Sequence, residues 1–487
     1  EEFIRETFLP QLEERAQSLF TQATTSLDAF QEDPSAKATS GGKPVTRSVR
    51  NVVALIDGIY SILAATPFHR VSISRLIVQL IVQYYQRCHE RYTSLVSLSA
   101  SDASSASEGL HTCAAWAQRP EILLCLSELA QGLEEPIRRQ ELLEEENAIL
   151  SQVAKQGRGI LFSDLTTSRK KLLALGTLKY SLTAFSGIFE RLKATSTFPD
   201  TQPAASLLAN QQVTDLALPL NDEMIVRFQG LPTTFQALSN LVLFTLREEL
   251  RIRTAYYLSL AVTDGNYTLD EVTLEPDPHV VDLNAELVSC DDVFADTLSD
   301  ADRRYVFYLL KHGPLLTNTL CRFLFLGLSG FMDLQLVTLV RKMRAINRHG
   351  VTKMVRNVLA LQQNLKSIVD IPGEVSLERS RRFWDLLLHT PEVSGQFPVH
   401  TAPGLITDAL LQQMLASVSK EVQRLGFEEY KSLLHLMLGL ENAKAGNGSA
   451  LAGTLPATIS GAGTAEGKEV SRNQYNEYCE SGSVAMI

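Results

Sequence analysis

Apolar side chains recur every three to four residues along most of the chain. That period lets an α-helix, and not a strand, gather them on one side. The clearest stripe runs through Val351, Met354, Val355, Val358, Leu361, Leu365 and Ile368. Leu76, Ile77, Leu80, Ile81, Tyr84 and Tyr85 form another, as do Leu243, Leu246, Leu250, Tyr257 and Leu260 and, near the start, Ile4, Phe8, Leu12 and Leu19. No convincing alternating run bounded by hairpin turns competes with them, and residues 267–274 are a weak strand candidate. The expected class is all-α. Helices of 20–30 residues would be roughly 30–45 Å long. Such helices, amphipathic and joined by short connections, pack as antiparallel bundles, and bundles in series make an elongated rod. No repeat of fixed length points to a solenoid.

Proline, glycine and low-complexity segments divide this pattern. Residues 33–44 read as a loop, Pro67 as a helix break, and 97–107 (SLSASDASSAS) as a linker. Pro199, Pro203 and Pro219 mark the expected domain boundary. The expected organisation is therefore helical bundles over 1–198, a proline-containing linker at 199–221, helical bundles over 222–440, and a disordered tail rich in Gly, Ala and Ser at 441–487. The chain starts with Glu1 inside a helical pattern, as a piece of a longer protein would, and shows no signal-peptide pattern.

Composition narrows the function classes. Hydrophobic residues make up 45% and charged residues 21%, ordinary values for a globular chain. The formal net charge of −10 is unlike that of a general nucleic-acid binder. The longest apolar run, residues 323–332, is far short of the ~20 residues of a membrane span, so any membrane contact is expected to be peripheral. The six cysteines form no C-x-x-C pair, which suits thiols packed as small hydrophobes in a reduced, intracellular protein.

Catalytic and metal-binding patterns fail on spacing. Residues 463–468 (GTAEGK) are one residue short of a phosphate-binding loop and are followed by Glu469, not Ser or Thr. Residues 327–331 (GLSGF) are not a nucleophile elbow. His89–Glu90 is not continued by a second histidine, and His111, Cys113 and Cys125 match no zinc module, so packed core residues are the better reading. The chain reads as a non-enzyme without a cofactor or a metal.

Charge is unevenly placed. From Thr254 to Asp302 there are twelve acidic residues and no Lys or Arg; from Leu334 to Val369 there is no acid, but there are Arg341, Lys342, Arg344, Arg348, Lys353, Arg356 and Lys366. Arg341, Arg344 and Arg348 would share a helix face at i, i+3, i+7, and a turn at His349–Gly350 would bring Lys353 and Arg356 beside them. Two readings stay open. The set Arg341, Lys342, Arg344, Arg348, Lys353 and Arg356 forms a surface for a partner protein or an anionic lipid, or the acidic stretch covers it from within the molecule. No aromatic residues interleave the cations for stacking on nucleic acid.

One region carries a resemblance. Residues 247–292 read REELRIRTAYYLSLAVTDGNYTLDEVTLEPDPHVVDLNAELVSCDD, with Glu249, Arg251, Arg253 and Tyr256, then Gly265-Asn266-Tyr267, an acidic linker, Pro276-Asp277-Pro278, and Val281, Leu283, Asn284 and Leu287. Residues 349–368 (HGVTKMVRNVLALQQNLKSI) and 381–390 (RRFWDLLLHT) follow. In this order and at these spacings they resemble the C-terminal region of the exocyst Sec-eight family (exocyst component four). The resemblance covers roughly 235–390, and residues 1–193 are compatible by helical pattern alone. It implies a rod of the tethering-complex type within a hetero-octamer of exocyst subunits that links post-Golgi secretory vesicles to the plasma membrane before fusion. It also implies a cytoplasmic location with recruitment to sites of polarised secretion, access through the complex to small GTPases or SNARE regulators, and no catalysis. A helical scaffold or adaptor outside membrane traffic would share the composition but not the GNY and LQQNL segments.

Overall fold

The computed structural model of the chain describes residues 4–34, 44–65, 69–98, 109–131, 136–156, 159–196, 217–297, 320–343, 346–369 and 375–388. The expected tail at 441–487, the helical pattern of 389–440 and most of the expected linker at 199–221 lie outside them. The described residues are all-α apart from one small ladder. The helices are α1 (Leu9–Thr25), α2 (Arg47–Ala65), α3 (Arg70–Val96), α4 (Thr112–Ala117), α5 (Pro120–Ala130), α6 (Pro136–Gln156), α7 (Arg169–Ser186), α8 (Ile188–Arg191), α9 (Asp222–Thr263), α10 (Pro278–Thr297), α11 (Leu320–Phe325), α12 (Leu328–Thr338), α13 (Arg348–Val369) and α14 (Glu378–Leu388). Strands β1 (Ala194–Ser196) and β2 (Leu218–Leu220) pair in parallel, Thr195 opposite Pro219, so the flanks of the expected linker meet in a short ladder. Two compact units result: Glu1–Ile252 with Ser289–Leu326, and Arg253–Val288 with Gly327–Ile487.

Local chemistry sets the helix starts. Pro120, Pro136 and Pro278 each occupy a first helical position, where the missing N–H costs nothing. The Ser168 hydroxyl accepts from Lys171 N at the start of α7. Pro232 lies inside α9, and the Thr233 and Thr234 hydroxyls both donate to Gly230 O one turn back, at 2.7 and 2.8 Å. Near the chain start the buried face is Ala16, Phe20 and Ala23, while Leu19 is exposed. The expected stripe through Leu19 is thus rotated by one residue, onto Phe20 and the small residues one turn to either side of it.

In the first unit α1, α2, α3 and α7 pack around aromatic side chains. Tyr84 lies 4.7 Å from Phe185 between ring centroids, and Phe185 stacks 5.0 Å from Phe235. Two stretches, Phe162–Arg191 and Phe323–Lys342, are long and apolar enough to cross a membrane. This extends the sequence estimate, which considered only 323–332. Backbone breaks at Gly187 and at Gly327 (φ 74°) interrupt them, and more than half of the most apolar part of each is buried inside the fold, as core helices would be.

The first unit also buries charge. Glu146 of α6 accepts a bidentate pair from Arg247, at 2.8 and 2.6 Å, and lies 2.8 Å from Arg251 Nε. The two guanidiniums go on to the carbonyls of Phe323, Leu324 (3.2 Å) and Leu326 (2.8 Å), the orphan acceptors at the end of α11. Burial opposes ionisation of Glu146, but Arg247 and Arg251 overrule it and hold the carboxyl below its usual range. Glu248, next along α9, has no such partner: both carboxyl oxygens are enclosed without a hydrogen bond, and burial followed by the charge of Glu146 pushes it from 4.5 to about 8. A folded-state value above the unfolded one makes this contribution complete below about pH 4.5 and lost as the pH rises towards 8. Glu248→Gln should therefore leave stability unchanged in acid and raise it above pH 8. Chemical unfolding of both proteins across that range checks this, and parallel curves would show that Glu248 does not carry the proton.

Candidate functional site: a buried polar knot and the loop it anchors

Two of the segments that carry the family resemblance, 253–288 and 349–368, meet in the second unit. Asp277, just before Pro278, caps α10: its Oδ1 accepts from His279 N at 3.1 Å and its carbonyl from Val280 N at 2.9 Å. Its other oxygen takes Lys353 Nζ of α13 at 2.8 Å, and its own N–H donates to Asn357 Oδ1 at 2.8 Å. Lys353 also donates to Asn266 O at 3.2 Å and lies 5.0 Å from the Tyr267 ring centroid. The Tyr267 hydroxyl donates to Ala261 O at 2.8 Å and accepts from Asn357 Nδ2 at 3.2 Å, and burial pushes it well above the ordinary tyrosine value.

Asn347 closes the arrangement. Its N–H donates to Tyr267 O (3.0 Å) and its side-chain amide to Leu269 O (2.7 Å), while its Oδ1 takes Gly350 N and caps α13. Gly350 is required there, since a Cβ would stand 1.9 Å from Tyr267 O. A Cβ on Gly265 would stand 2.2 Å from Ala261 O. Farther along, Asn364 donates to Asn284 O at 3.3 Å, so one amide of the Gln-Gln-Asn run bridges to the neighbouring helix as its helical position required. Of the expected stripe, Val351, Met354, Val358, Leu361 and Leu365 are buried, while Val355 and Ile368 are half-buried. α12 docks on α14: Asp333 accepts from Arg379 N (3.0 Å) and Ser380 N (2.6 Å), above the buried Phe383 and Trp384.

These contacts correct the sequence expectations at three points. Residues 267–274 form no strand. The buried Tyr267 and the Asn347 contacts fix them as an irregular loop. The basic set is not one helix face either: a 3-10 turn ends at Lys342, and α13 starts at Arg348. Arg341 and Arg348 thus lie on separate elements, and the turn precedes His349–Gly350. Finally, Lys353 is buried on Asp277, so here the acidic stretch does neutralise a cation from within. Arg341, Lys342 and Arg348 are exposed, Arg356 is half-buried, and Arg344 lies outside the described residues.

The helix-face argument missed Asn357, which is buried at 1% exposure beside the apolar stripe. Its position three residues after Met354 and four before Leu361 was the available signal. Glu249, Arg251 and Arg253, named by the resemblance, are likewise internal: Glu249 accepts from Thr166 N, Arg251 joins Glu146, and Arg253 pairs with Glu286. His111, Cys113 and Cys125 are buried, the Cys125 thiol donating to Leu142 O at 3.2 Å. Among the described residues no group of three His, Cys, Asp or Glu is placed to hold a metal. The arrangement can fix a loop between two helices; it presents no nucleophile or general base to solvent.

No family model matches the chain. Among curated proteins it is similar to the probable exocyst complex component sec8 of Neurospora crassa, 26% identical over 408 residues, which span 79% of this chain and 34% of that protein. It is similar to the exocyst complex component SEC8 of Arabidopsis thaliana, 23% identical over 396 residues (80% and 34%), and to the mouse exocyst complex component 4, 21% identical over 364 residues (72% and 34%). The chain spans about a third of the length of these relatives, whose names describe a complex component and not an enzyme.

Breaking the buried pair from one side should be costly. Lys353→Met or Asp277→Asn alone leaves a charge without its partner and is expected to destabilise the second unit by about 3–5 kcal/mol. The double variant should lose clearly less than the sum. Denaturant unfolding of the four proteins measures the coupling, and strict additivity would mean that the pair is not an energetic unit.

Proposed function

We propose that this chain is part of a structural exocyst subunit that helps to tether post-Golgi secretory vesicles to the plasma membrane before fusion. The similarity to exocyst components over 72–80% of the chain carries the reading. The knot supports it, because several residues on which the resemblance rests, Asn266, Tyr267, Asp277, Lys353 and Asn357, hold the loop to α10 and α13. The role is mechanical. Helical bundles set distances, and exposed surfaces recruit the other subunits of a cytoplasmic complex that works at the plasma membrane, with small GTPases or SNARE regulators reached through that complex. The reading involves no catalysis.

The full-length protein, purified at native abundance, should bring the other exocyst subunits with it in fixed ratio, and its acute depletion should leave secretory vesicles accumulated beneath the plasma membrane. Purification without any exocyst subunit, together with undisturbed secretion, would overturn the reading in favour of a helical adaptor elsewhere.

Arg341, Lys342 and Arg348 are the cations we assign to an acidic partner or the anionic inner leaflet, near which each would contribute about 1 kcal/mol. Reversing all three to Glu should weaken binding to phosphatidylserine vesicles or to the assembled subunits, most visibly at low salt. A fall in melting temperature with binding intact would make the three structural. Lys353 belongs outside this test, because its reversal would bury a carboxylate against Asp277.

A further inference from the structure

Between the knot's two anchors the chain leaves the core. Tyr267 and Leu269 are held by Asn347, and Asp277 is held by Lys353 and Asn357. The seven residues between, 270–276, carry Val272 at 47% and Leu274 at 85% exposure, flanked by the exposed Asp270, Glu271 and Glu275. Val281 (50%) and the exposed Asp282 follow on α10. No Lys or Arg occurs from 254 to 302. Large apolar side chains on a tethered loop are unfavourable in water. Because both ends are already fixed by buried groups, little conformational freedom remains to be lost when another surface covers them.

We infer that the loop 270–276 is a protein-docking element. It inserts Leu274, with Val272 beside it, into an apolar pocket edged by Lys or Arg on another subunit of the same complex. This rests on the exocyst reading above and adds the chemistry of the partner. Charge complementarity selects the occupant: four exposed carboxylates without a neighbouring cation in the sequence attract a basic rim and are repelled by an anionic leaflet or a nucleic-acid backbone. The apolar side chains give the contact its strength, and the carboxylates choose among partners.

The test uses the full-length protein assembled with the other purified exocyst subunits, with a photoreactive benzoylphenylalanine at position 274 and a control at the exposed Gln363. Position 274 should crosslink to a Lys- or Arg-rich peptide of one subunit, and position 363 should not. Leu274→Asp should weaken retention of that subunit at least about tenfold, as loss of a central anchor does, with unchanged melting. The pair Glu271→Lys and Glu275→Lys should weaken it in a salt-dependent way. Crosslinking confined to its own chain, crosslinking to an acidic peptide, or full retention by both variants would overturn the inference, as would binding to phosphatidylserine vesicles that depends on Leu274. Failure of the wild type to assemble with any exocyst subunit would instead sink the tethering reading. The docking assignment falls with it, whereas assembly without a crosslink from position 274 sinks the docking assignment alone.

Discussion

An ammonium group can leave water only where its charge is met, and in the second unit that condition fixes nearly everything else. Lys353 is met by one carboxylate, one carbonyl and one aromatic face, drawn from Asp277, Asn266 and Tyr267. These three residues sit on a loop that has no regular secondary structure to stabilise it. The loop is held because moving it would strand the charge, at a cost that exceeds any single surface contact. Asp277 adds the start of α10, and Asn347, bound to the same loop, adds the start of α13, so the loop ties the two helix starts together.

The first unit solves a similar problem with two arginines. Arg247 and Arg251 share Glu146 and pass their remaining donors to carbonyls at the end of α11. A planar guanidinium has enough donors in a fixed fork to serve a carboxylate and a helix end at once, which an ammonium on a flexible stem does less well. Glu248 stands beside this cluster without a hydrogen bond, and its neutrality is the consequence. In both units charge inside the core specifies which elements meet, while apolar burial supplies most of the stabilisation.

This division separates the interior from the surface. Interiors closed by ion pairs resist sliding between helices, and the surface can vary without disturbing them. Residues that look functional by charge, such as Lys353 and Arg251, turn out to be the fixings. Exposed charge is concentrated at the turn between α12 and α13, at Arg341, Lys342 and Arg348, and on the acidic loop before α10. A charged residue in this chain therefore has to be located before its role can be argued.

Helix class and the buried faces of α3 and α13 were written in the sequence. They depend on side-chain period, which is a local property of the chain. The family-like segments were legible as well, but as strings, without their purpose. What Gly265, Asn266, Tyr267, Asp277, Gly350, Lys353 and Asn357 do was decided by the tertiary structure alone. Each acts on a group up to ninety residues away, such as Tyr267 on Asn357. Burial of Lys353 illustrates the reason: the sequence fixes that a charge is present, but only the packed neighbours fix the dielectric around it and the partner that meets it.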